Sequence, residues 1–355
     1  MLFNFDVTQL NYEDRLGHLD AKAYGVVKSN KNFPKFLIDG KEVIFKPLSK
    51  TKPLSTPFFA YSEVFWSTII NNYFDPSAPI YKLAICRNYG DEFASKYHHG
   101  TIVDSLERPD CKLINLYQVF LEYKDDAINI KDYINYCEKF YDYSKILDTK
   151  IMNDDRKLGG QLAYQILLSI LRLDQNYHYE NPLFYEKNGQ IVSMTPSIDY
   201  EFSTMFMYLD NLKINMEKYN SALNMLLLKR DEKDIFEMLR YEIFAIIPQN
   251  IEKIIEKYPY VVSDFLKRLR ILIGDLEKYG FKLEDNGYLT PFNSSNYKIG
   301  HARFKENDEC KALELEQVLP QYNIDIDTVN NVIYDETLNI CKTLKKELEK
   351  RMNNK

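Results

Sequence analysis

Two oxygen-bearing side chains flank a short hairpin signal in the middle of the chain. Asn181 stands at its entrance, Asn188-Gly189 supplies a tight turn, and Asp199 follows its exit. Because neighbouring strands of a hairpin lie about 5 Å apart, both side chains can reach one cation. An amide oxygen and a carboxylate, completed by phosphate oxygens, suit Mg²⁺. The spacing therefore predicts a magnesium site at the open end of the hairpin.

An Asn and an Asp also hold Mg²⁺ in kinase-type phosphoryl transfer, which needs further residues upstream. One is a lysine at the end of a strand, and Lys46 closes the apolar run Val43-Ile44-Phe45. Another is a glutamate on the following helix, and Glu63 is the only acidic residue of the predicted helix 58–73. A buried carboxylate needs a partner, so we expect Glu63 to pair with Lys46.

A connecting strand should then supply backbone groups to an adenine. The segment Thr101–Arg108 lies where strand-like sequence gives way to helical sequence. We therefore assign adenine binding to the backbone around Asp104 and Leu106.

These residues and their order resemble the HipA-like serine/threonine kinases, the bacterial branch of the protein-kinase fold. The catalytic segment of that family has an Asp-Arg-His-x-x-Asn core, and His178 and Asn181 keep the His-x-x-Asn spacing. A later Ala-Pro-x-x-Asp turn is matched at Pro196 and Asp199. The Arg-Phe-Asp-Arg hinge of the family has a counterpart in Ser105-Leu106-Glu107-Arg108.

The resemblance covers roughly residues 20–205. It implies a serine/threonine kinase that binds ATP and Mg²⁺ between two lobes and phosphorylates a protein substrate, its own chain included. Toxin–antitoxin kinases and a secreted-effector type belong to this family. A toxin or effector role, with a cognate antitoxin as partner, is a hypothesis that rests on the resemblance alone.

The catalytic base is the first departure from the family. The ungapped match puts Asn176 at the position of the family's catalytic aspartate, and Asp174 lies two residues earlier. An amide cannot accept the proton of a substrate hydroxyl. Either Asp174 does this work, with His178 holding the loop, or the base is missing. A missing base does not by itself abolish phosphoryl transfer. The alternatives are therefore an active kinase, a nucleotide-binding pseudokinase or partner-binding regulatory module, and a scaffold whose pocket is closed by aromatic side chains.

The phosphate-binding loop is the second departure. The chain has only 12 glycines in 355 residues, and the one candidate loop before Lys46 lies around Tyr24 and Gly25. With a single glycine in that loop, the phosphates would be held mainly by Lys46 and by the metal ion.

The order of elements predicts an α+β chain with two lobes. The resemblance to the HipA-like kinases implies that this is a bilobal protein-kinase-like fold. A strand-rich N-lobe covers 1–103, a hinge 104–108, and a large helical C-lobe 109–355. In the N-lobe, Asp39-Gly40 is a turn signal between the strand-like runs 36–38 and 42–46.

Apolar residues recur at helical spacing from about residue 113 onward. The predicted helices are Leu113–Tyr123, Ile128–Tyr143, Leu158–Leu173, Asn211–Lys229, Glu232–Ala245, Ile251–Glu256, Val261–Tyr279 and Ile326–Arg351. The third of these is strongly apolar and should be buried.

Composition excludes several classes of protein. The formal charge of −6 implies no global attraction to nucleic acid or to anionic lipid. The five cysteines are odd in number and widely spaced, which argues against a disulfide framework or a zinc site and fits a reducing cytoplasm. No apolar run is long enough to span a membrane. No GxSxG, HExxH, Walker or GxGxxG motif is present, which argues against the corresponding hydrolase, protease and nucleotide-binding classes.

Overall fold

The fold is known from a computed structural model. It describes residues 3–6, 35–38, 41–47, 58–87, 97–116, 118–119, 143–144, 146–174, 181–200, 247–279, 281–283, 289–291 and 326–354. These residues combine helices with small, mainly antiparallel sheets. The α+β prediction is confirmed to that extent, and the bilobal kinase architecture stays a prediction.

The chain divides into two compact units. The first contains the described residues up to Ser105, Tyr200, and those within 274–337. The second contains the described residues of 106–199 and 225–273, and those from Leu338 onward. The lobe boundaries expected from the sequence are not tested by this division and stay predictions.

A five-stranded sheet forms the centre of the first unit. In pairing order its strands are β1 (Phe3–Asp6), β4 (Lys82–Arg87), β5 (Tyr97–Asp104), β3 (Lys41–Pro47) and β2 (Lys35–Ile38). β1 runs parallel to β4, and the other pairs are antiparallel. The hairpin of β2 and β3 is the one that the sequence predicted. A separate antiparallel pair is made by β9 (Phe281–Leu283) and β10 (Leu289–Pro291).

Helix α1 (Phe58–Ile69) packs against this sheet and runs on into a π-helical turn, Ile70–Phe74. It contacts β4, β5 and β10. Every residue from Ser62 to Ile70 is buried. Any polar side chain on this stretch of α1 therefore needs a partner inside the protein.

A three-stranded antiparallel sheet belongs to the second unit. Its strands pair in the order β6 (Lys112–Asn115), β7 (Leu183–Lys187) and β8 (Gln190–Met194). The hairpin of β7 and β8 turns at Asn188-Gly189, and both turn residues have positive φ, 54° and 75°. This is the conformation that Asn-Gly favours in a two-residue hairpin turn, so the predicted hairpin is confirmed.

The predicted helix Leu113–Tyr123 is wrong at its start, because Leu113 and Ile114 lie in β6. A short apolar run fits a strand or a helix equally well, and its partner β7 is distant in sequence. The helix begins after Asn115. The Asn115 side chain accepts from the Gln118 N–H and the Gln118 side chain accepts from the Asn115 N–H, both at 2.9 Å. An Asn followed three residues later by a Gln is a capping-box pattern, and this pattern marks the start of the helix in the sequence.

The other described helices include a short one, α2 (Lys150–Asp154), and the apolar α3 (Arg156–Arg172). They continue with α4 (Ile247–Lys257), α5 (Pro259–Tyr279) and α6 (Ile326–Asn353). The sequence predicted four of these, α3 to α6. The predicted helices at 128–143, 211–229 and 232–245 lie outside the described residues, apart from Tyr143. None of the described helices is long and apolar enough to cross a membrane.

Two adjacent glycines let α3 approach the start of α5. A Cβ added to Gly159 would stand 2.7 Å from the Met152 carbonyl oxygen and closer still to the Tyr258 hydroxyl. That hydroxyl donates to the Met152 carbonyl at 3.2 Å. Burial raises the pKa of Tyr258 to about 12, so the phenol remains a neutral donor. Gly160 faces Tyr260 in a similar way.

We expect Gly159→Ala to lower the free energy of unfolding by about 1–3 kcal/mol, because the added methyl group overpacks a contact with backbone. Gly274→Ala is the matched control, since a Cβ there meets nothing within 4 Å on helix α5. It should raise stability by about 0.5–1 kcal/mol through helix propensity alone. Urea unfolding followed by circular dichroism measures both. Equal stabilities of the two variants would contradict this account of the packing.

Candidate functional site

A buried ion pair joins β3 to α1 in the first unit. The Lys46 ammonium lies 2.5 Å from Glu63 Oε1, with 12% and 3% of the two side chains exposed. The contact expected from the sequence is therefore present. Because nearly all of Glu63 is withdrawn from water, its charge depends on partners inside the protein.

Thr101 is the second partner of Glu63, and sequence reasoning missed it. Its hydroxyl donates to Glu63 Oε2, and only 1% of the residue is exposed. Thr101 stands opposite Lys46 in the register of β3 and β5. Directly paired residues of neighbouring strands point to the same face, so the sheet places an ammonium and a hydroxyl on the two oxygens of one carboxylate. The signal available in the sequence was a hydroxyl residue beside the apolar pair Ile102-Val103.

We expect Thr101→Val to reduce stability by about 1–3 kcal/mol, because it keeps the shape of the side chain and leaves Glu63 Oε2 without this donor. Thr68→Val is the matched control on α1. Thr68 is also buried, but its hydroxyl donates to the Val64 carbonyl of its own helix at 2.7 Å. The control should change stability by less than about 1 kcal/mol. If chemical denaturation finds the two losses equal, Thr101 is not a specific support of Glu63.

The segment assigned to adenine binding begins at the end of β5. Asp104 is the last residue of that strand and is exposed. The Ser105 N–H donates to the Glu42 carbonyl at 3.0 Å. In the second unit, the Leu106 carbonyl accepts from the Tyr185 hydroxyl at 2.8 Å. The backbone groups of Ser105 and Leu106 are thus each hydrogen-bonded within their own unit.

Tyr185 also fixes the residues that follow. The Arg108 guanidinium lies over its ring, 3.8 Å from the centroid. Burial raises the pKa of the Tyr185 hydroxyl, although the nearby Arg108 acts in the opposite sense. The phenol therefore remains protonated and keeps its hydrogen bond to the Leu106 carbonyl.

Asn181 and Asp199 lie together in the second unit, at the open end of the β7–β8 hairpin. Asn181 Nδ2 is 3.4 Å from Asp199 Oδ2. Asn181 is 7% exposed and Asp199 is half-buried. Asp199 has a positive φ of 61°, a left-handed conformation that Asp and Asn tolerate better than other side chains. The pair expected from the sequence is therefore in contact.

The chemistry of this pair fits Mg²⁺. With its side-chain amide turned by half a turn, Asn181 would present its carbonyl oxygen to a cation bound by the Asp199 carboxylate, and both are hard oxygen ligands. Among the described residues, no group of three or more His, Cys, Asp and Glu side chains could hold a metal ion. Mg²⁺ accepts one or two protein ligands when substrate phosphates and water complete its shell.

Asp174 lies at the end of helix α3 and forms a second buried ion pair. Arg172 Nη2 is 2.6 Å from Asp174 Oδ2, with 0% and 2% of the side chains exposed. Leu173 between them has a positive φ of 51° and ends the helix. The pairing of Asp174 with Arg172 was not foreseen from the sequence. The signal was an arginine at the end of a strongly apolar helix, where a buried charge requires a partner.

Four of the sequence-derived candidates lie outside the described residues: Tyr24, Gly25, Asn176 and His178. Their assigned roles stay predictions. Four of the described candidates form two pairs, Lys46 with Glu63 in the first unit and Asn181 with Asp199 in the second. Asp104, Leu106 and Asp174 belong to neither pair.

Comparisons with solved structures find similar chains, one of which is a bacterial kinase. The chain is similar to a crystal structure of a Helicobacter pylori proinflammatory kinase, CtkA, with a TM-score of 0.43 and 11% sequence identity. The match covers 76% of this chain and 87% of that chain. No protein-family model matches the chain, and no curated protein matches it.

Proposed function

We propose that the chain is an ATP- and Mg²⁺-dependent protein kinase that phosphorylates serine or threonine. One observation carries this proposal. Four residues that the sequence singled out for one reaction occur as two contacting pairs, Lys46 with Glu63 and Asn181 with Asp199. Phosphoryl transfer of the kinase type uses these residue types in these combinations.

Lys46 would bind the phosphates of the nucleotide. Its ammonium is held by Glu63, which is itself held by Thr101. A lysine that is already in place loses little conformational entropy when it binds an anion. Asn181 and Asp199 would hold the metal ion. Mg²⁺, when bound, neutralises the charge on the phosphates that are transferred and released.

The adenine would contact the backbone around Asp104 and Leu106. The Leu106 carbonyl already accepts from Tyr185, but a carbonyl oxygen has two lone pairs and can accept a second hydrogen bond. This role extends the same proposal to the nucleotide base.

The substrate hydroxyl belongs, in this proposal, to a protein serine or threonine, including one on the chain itself. A toxin or effector setting and a cognate antitoxin follow only from the family resemblance. They extend the proposal without supporting it.

A nucleotide-binding pseudokinase is the second candidate. The observation that favours it is the ion pair of Asp174 with Arg172, because a carboxylate occupied by a guanidinium is a poor acceptor for a substrate proton. The two candidates share nucleotide and metal binding and differ in phosphate transfer.

The test compares ATP with and without Mg²⁺. A rise in melting temperature reports binding of the nucleotide. Release of ADP, together with labelled γ-phosphate on the protein, reports phosphate transfer. A kinase shows both responses to Mg²⁺-ATP, and a pseudokinase shows only the shift in melting temperature. The absence of both responses would overturn the proposal.

A further inference from the structure

Three long polar side chains lie on one face of helix α3. Gln161, Gln165 and Arg172 are spaced by four and seven residues, which places them on one face of a helix. The two glutamines bind the backbone where β8 ends. Gln161 Oε1 accepts from the Met194 N–H at 3.1 Å, and Gln165 Nε2 donates to the Thr195 carbonyl at 2.6 Å. The two glutamines therefore fix the start of the segment that leads to Asp199.

Arg172 contacts the far end of this segment. Its Nη1 donates to the Asp199 carbonyl at 3.5 Å, a long hydrogen bond, while its Nη2 holds Asp174 at 2.6 Å. A guanidinium presents several donors in one rigid plane, so a single side chain can serve both partners. The residue it holds, Asp199, has the left-handed backbone that puts its carboxylate beside Asn181.

Asp174 has an electrostatic part in this arrangement. A buried guanidinium next to the Asn181–Asp199 pair would by itself repel a cation. Asp174 neutralises it at 2.6 Å, with neither side chain open to water. The ion pair as a whole can therefore hold the Asp199 backbone without placing net positive charge beside a metal ion.

We propose that Arg172 and Asp174 are positioning residues for the cation site of Asn181 and Asp199. Arg172 holds the backbone of Asp199, and Asp174 cancels the charge of Arg172. This inference rests on the proposed function, since it concerns the same cation site. It also gives Asp174 a task other than that of the catalytic base.

The two roles of Asp174 differ in what they predict. A catalytic base acts on the substrate proton, so Asp174→Asn would slow turnover and leave the binding of the metal unchanged. A neutralising residue acts on the cation, so Asp174→Asn would weaken metal binding even without substrate. Metal affinity is therefore the readout that separates them.

The experiment measures Mn²⁺ binding to the full chain by electron paramagnetic resonance, with Mg²⁺ as competitor. Arg172→Lys keeps the charge that pairs with Asp174 but removes the second arm that reaches the Asp199 carbonyl. We expect Mn²⁺ to bind about tenfold more weakly to this variant and to Asp174→Asn, as for other residues that orient metal ligands. Ser169→Ala is the matched control. Ser169 is buried on the same helix, but its hydroxyl donates only to the Ile166 carbonyl. The Ser169→Ala variant should therefore bind Mn²⁺ with the affinity of the wild type.

The outcomes separate the two proposals. The proposed cation site is wrong if the wild type shows no saturable Mn²⁺ binding. It is also wrong if the wild type and Asn181→Ala bind Mn²⁺ with the same affinity. If the wild type binds Mn²⁺ and Asn181→Ala does not, while Arg172→Lys and Asp174→Asn bind as the wild type, only the positioning role is wrong. Affinities are referred to the folded fraction given by circular dichroism. Should Arg172→Lys not fold, Asp174→Asn alone decides the outcome.

Discussion

Asp199→Asn is expected to reduce Mg²⁺-dependent phosphate transfer by about a thousandfold, because it removes several kcal/mol of metal-mediated stabilisation of the transition state. The fold should be unaffected. Asparagine has nearly the same shape as aspartate and accepts the left-handed backbone that this position requires, with a φ of 61°. Alanine would be a poorer choice, since it would add backbone strain to the loss of the carboxylate.

A second residue with a left-handed backbone, away from Asp199, provides the control. Asn188 in the β7–β8 turn has a φ of 54°. Asn188→Asp makes the reverse exchange of amide and carboxylate away from the cation pair, and it should leave phosphate transfer within about twofold of the wild type. Transfer is measured with γ-labelled ATP, and the fold of each variant by circular dichroism. Equal rates for Asp199→Asn and Asn188→Asp would exclude a metal-binding role for Asp199.

Lys46→Met is expected to lower the free energy of unfolding by about 3–5 kcal/mol, because it leaves the buried Glu63 carboxylate without its cation. The double variant Lys46→Met/Glu63→Leu should recover most of that loss, since an apolar pair replaces the ion pair. The Thr101 hydroxyl would then lose its acceptor. The free energy of unfolding of the double variant should therefore remain about 1 kcal/mol below that of the wild type. Denaturant unfolding measures all three proteins.

The double variant separates stability from function at this ion pair. If Lys46 binds the phosphates of ATP, phosphate transfer stays lost in the double variant although its stability returns. A purely structural pair would give transfer that recovers with stability, and this result would remove Lys46 from the proposed site.

The sequence was most informative where local chemistry decides the structure. Asn188-Gly189 requires positive φ angles and therefore fixes the turn of the β7–β8 hairpin. The long apolar stretch of α3 could only be a buried helix. Lys46 and Glu63 could be paired in advance because a carboxylate on an aromatic helix needs a cation.

The sequence was least informative where the partner is distant. The pairing of β6 with β7 depends on a strand about 70 residues further along, so its residues could be read as a helix. The second hydrogen bond to Glu63 comes from Thr101 through the register of β3 and β5, which no local pattern reveals. The contact of Arg172 with Asp174 depends on the left-handed backbone of Leu173 at the end of α3. A leucine gives no signal in the sequence for this conformation.

The decisive measurement for the proposed kinase activity is the transfer of labelled γ-phosphate from ATP to serine or threonine by the full chain, in EDTA and after Mg²⁺ is added back. A Mg²⁺-dependent kinase gives phosphoserine or phosphothreonine only when Mg²⁺ is present, and almost none with Asp199→Asn. A folded wild-type protein that binds Mg²⁺-ATP but gives no labelled residue and no ADP would contradict the proposed kinase activity, and would establish nucleotide binding without phosphate transfer.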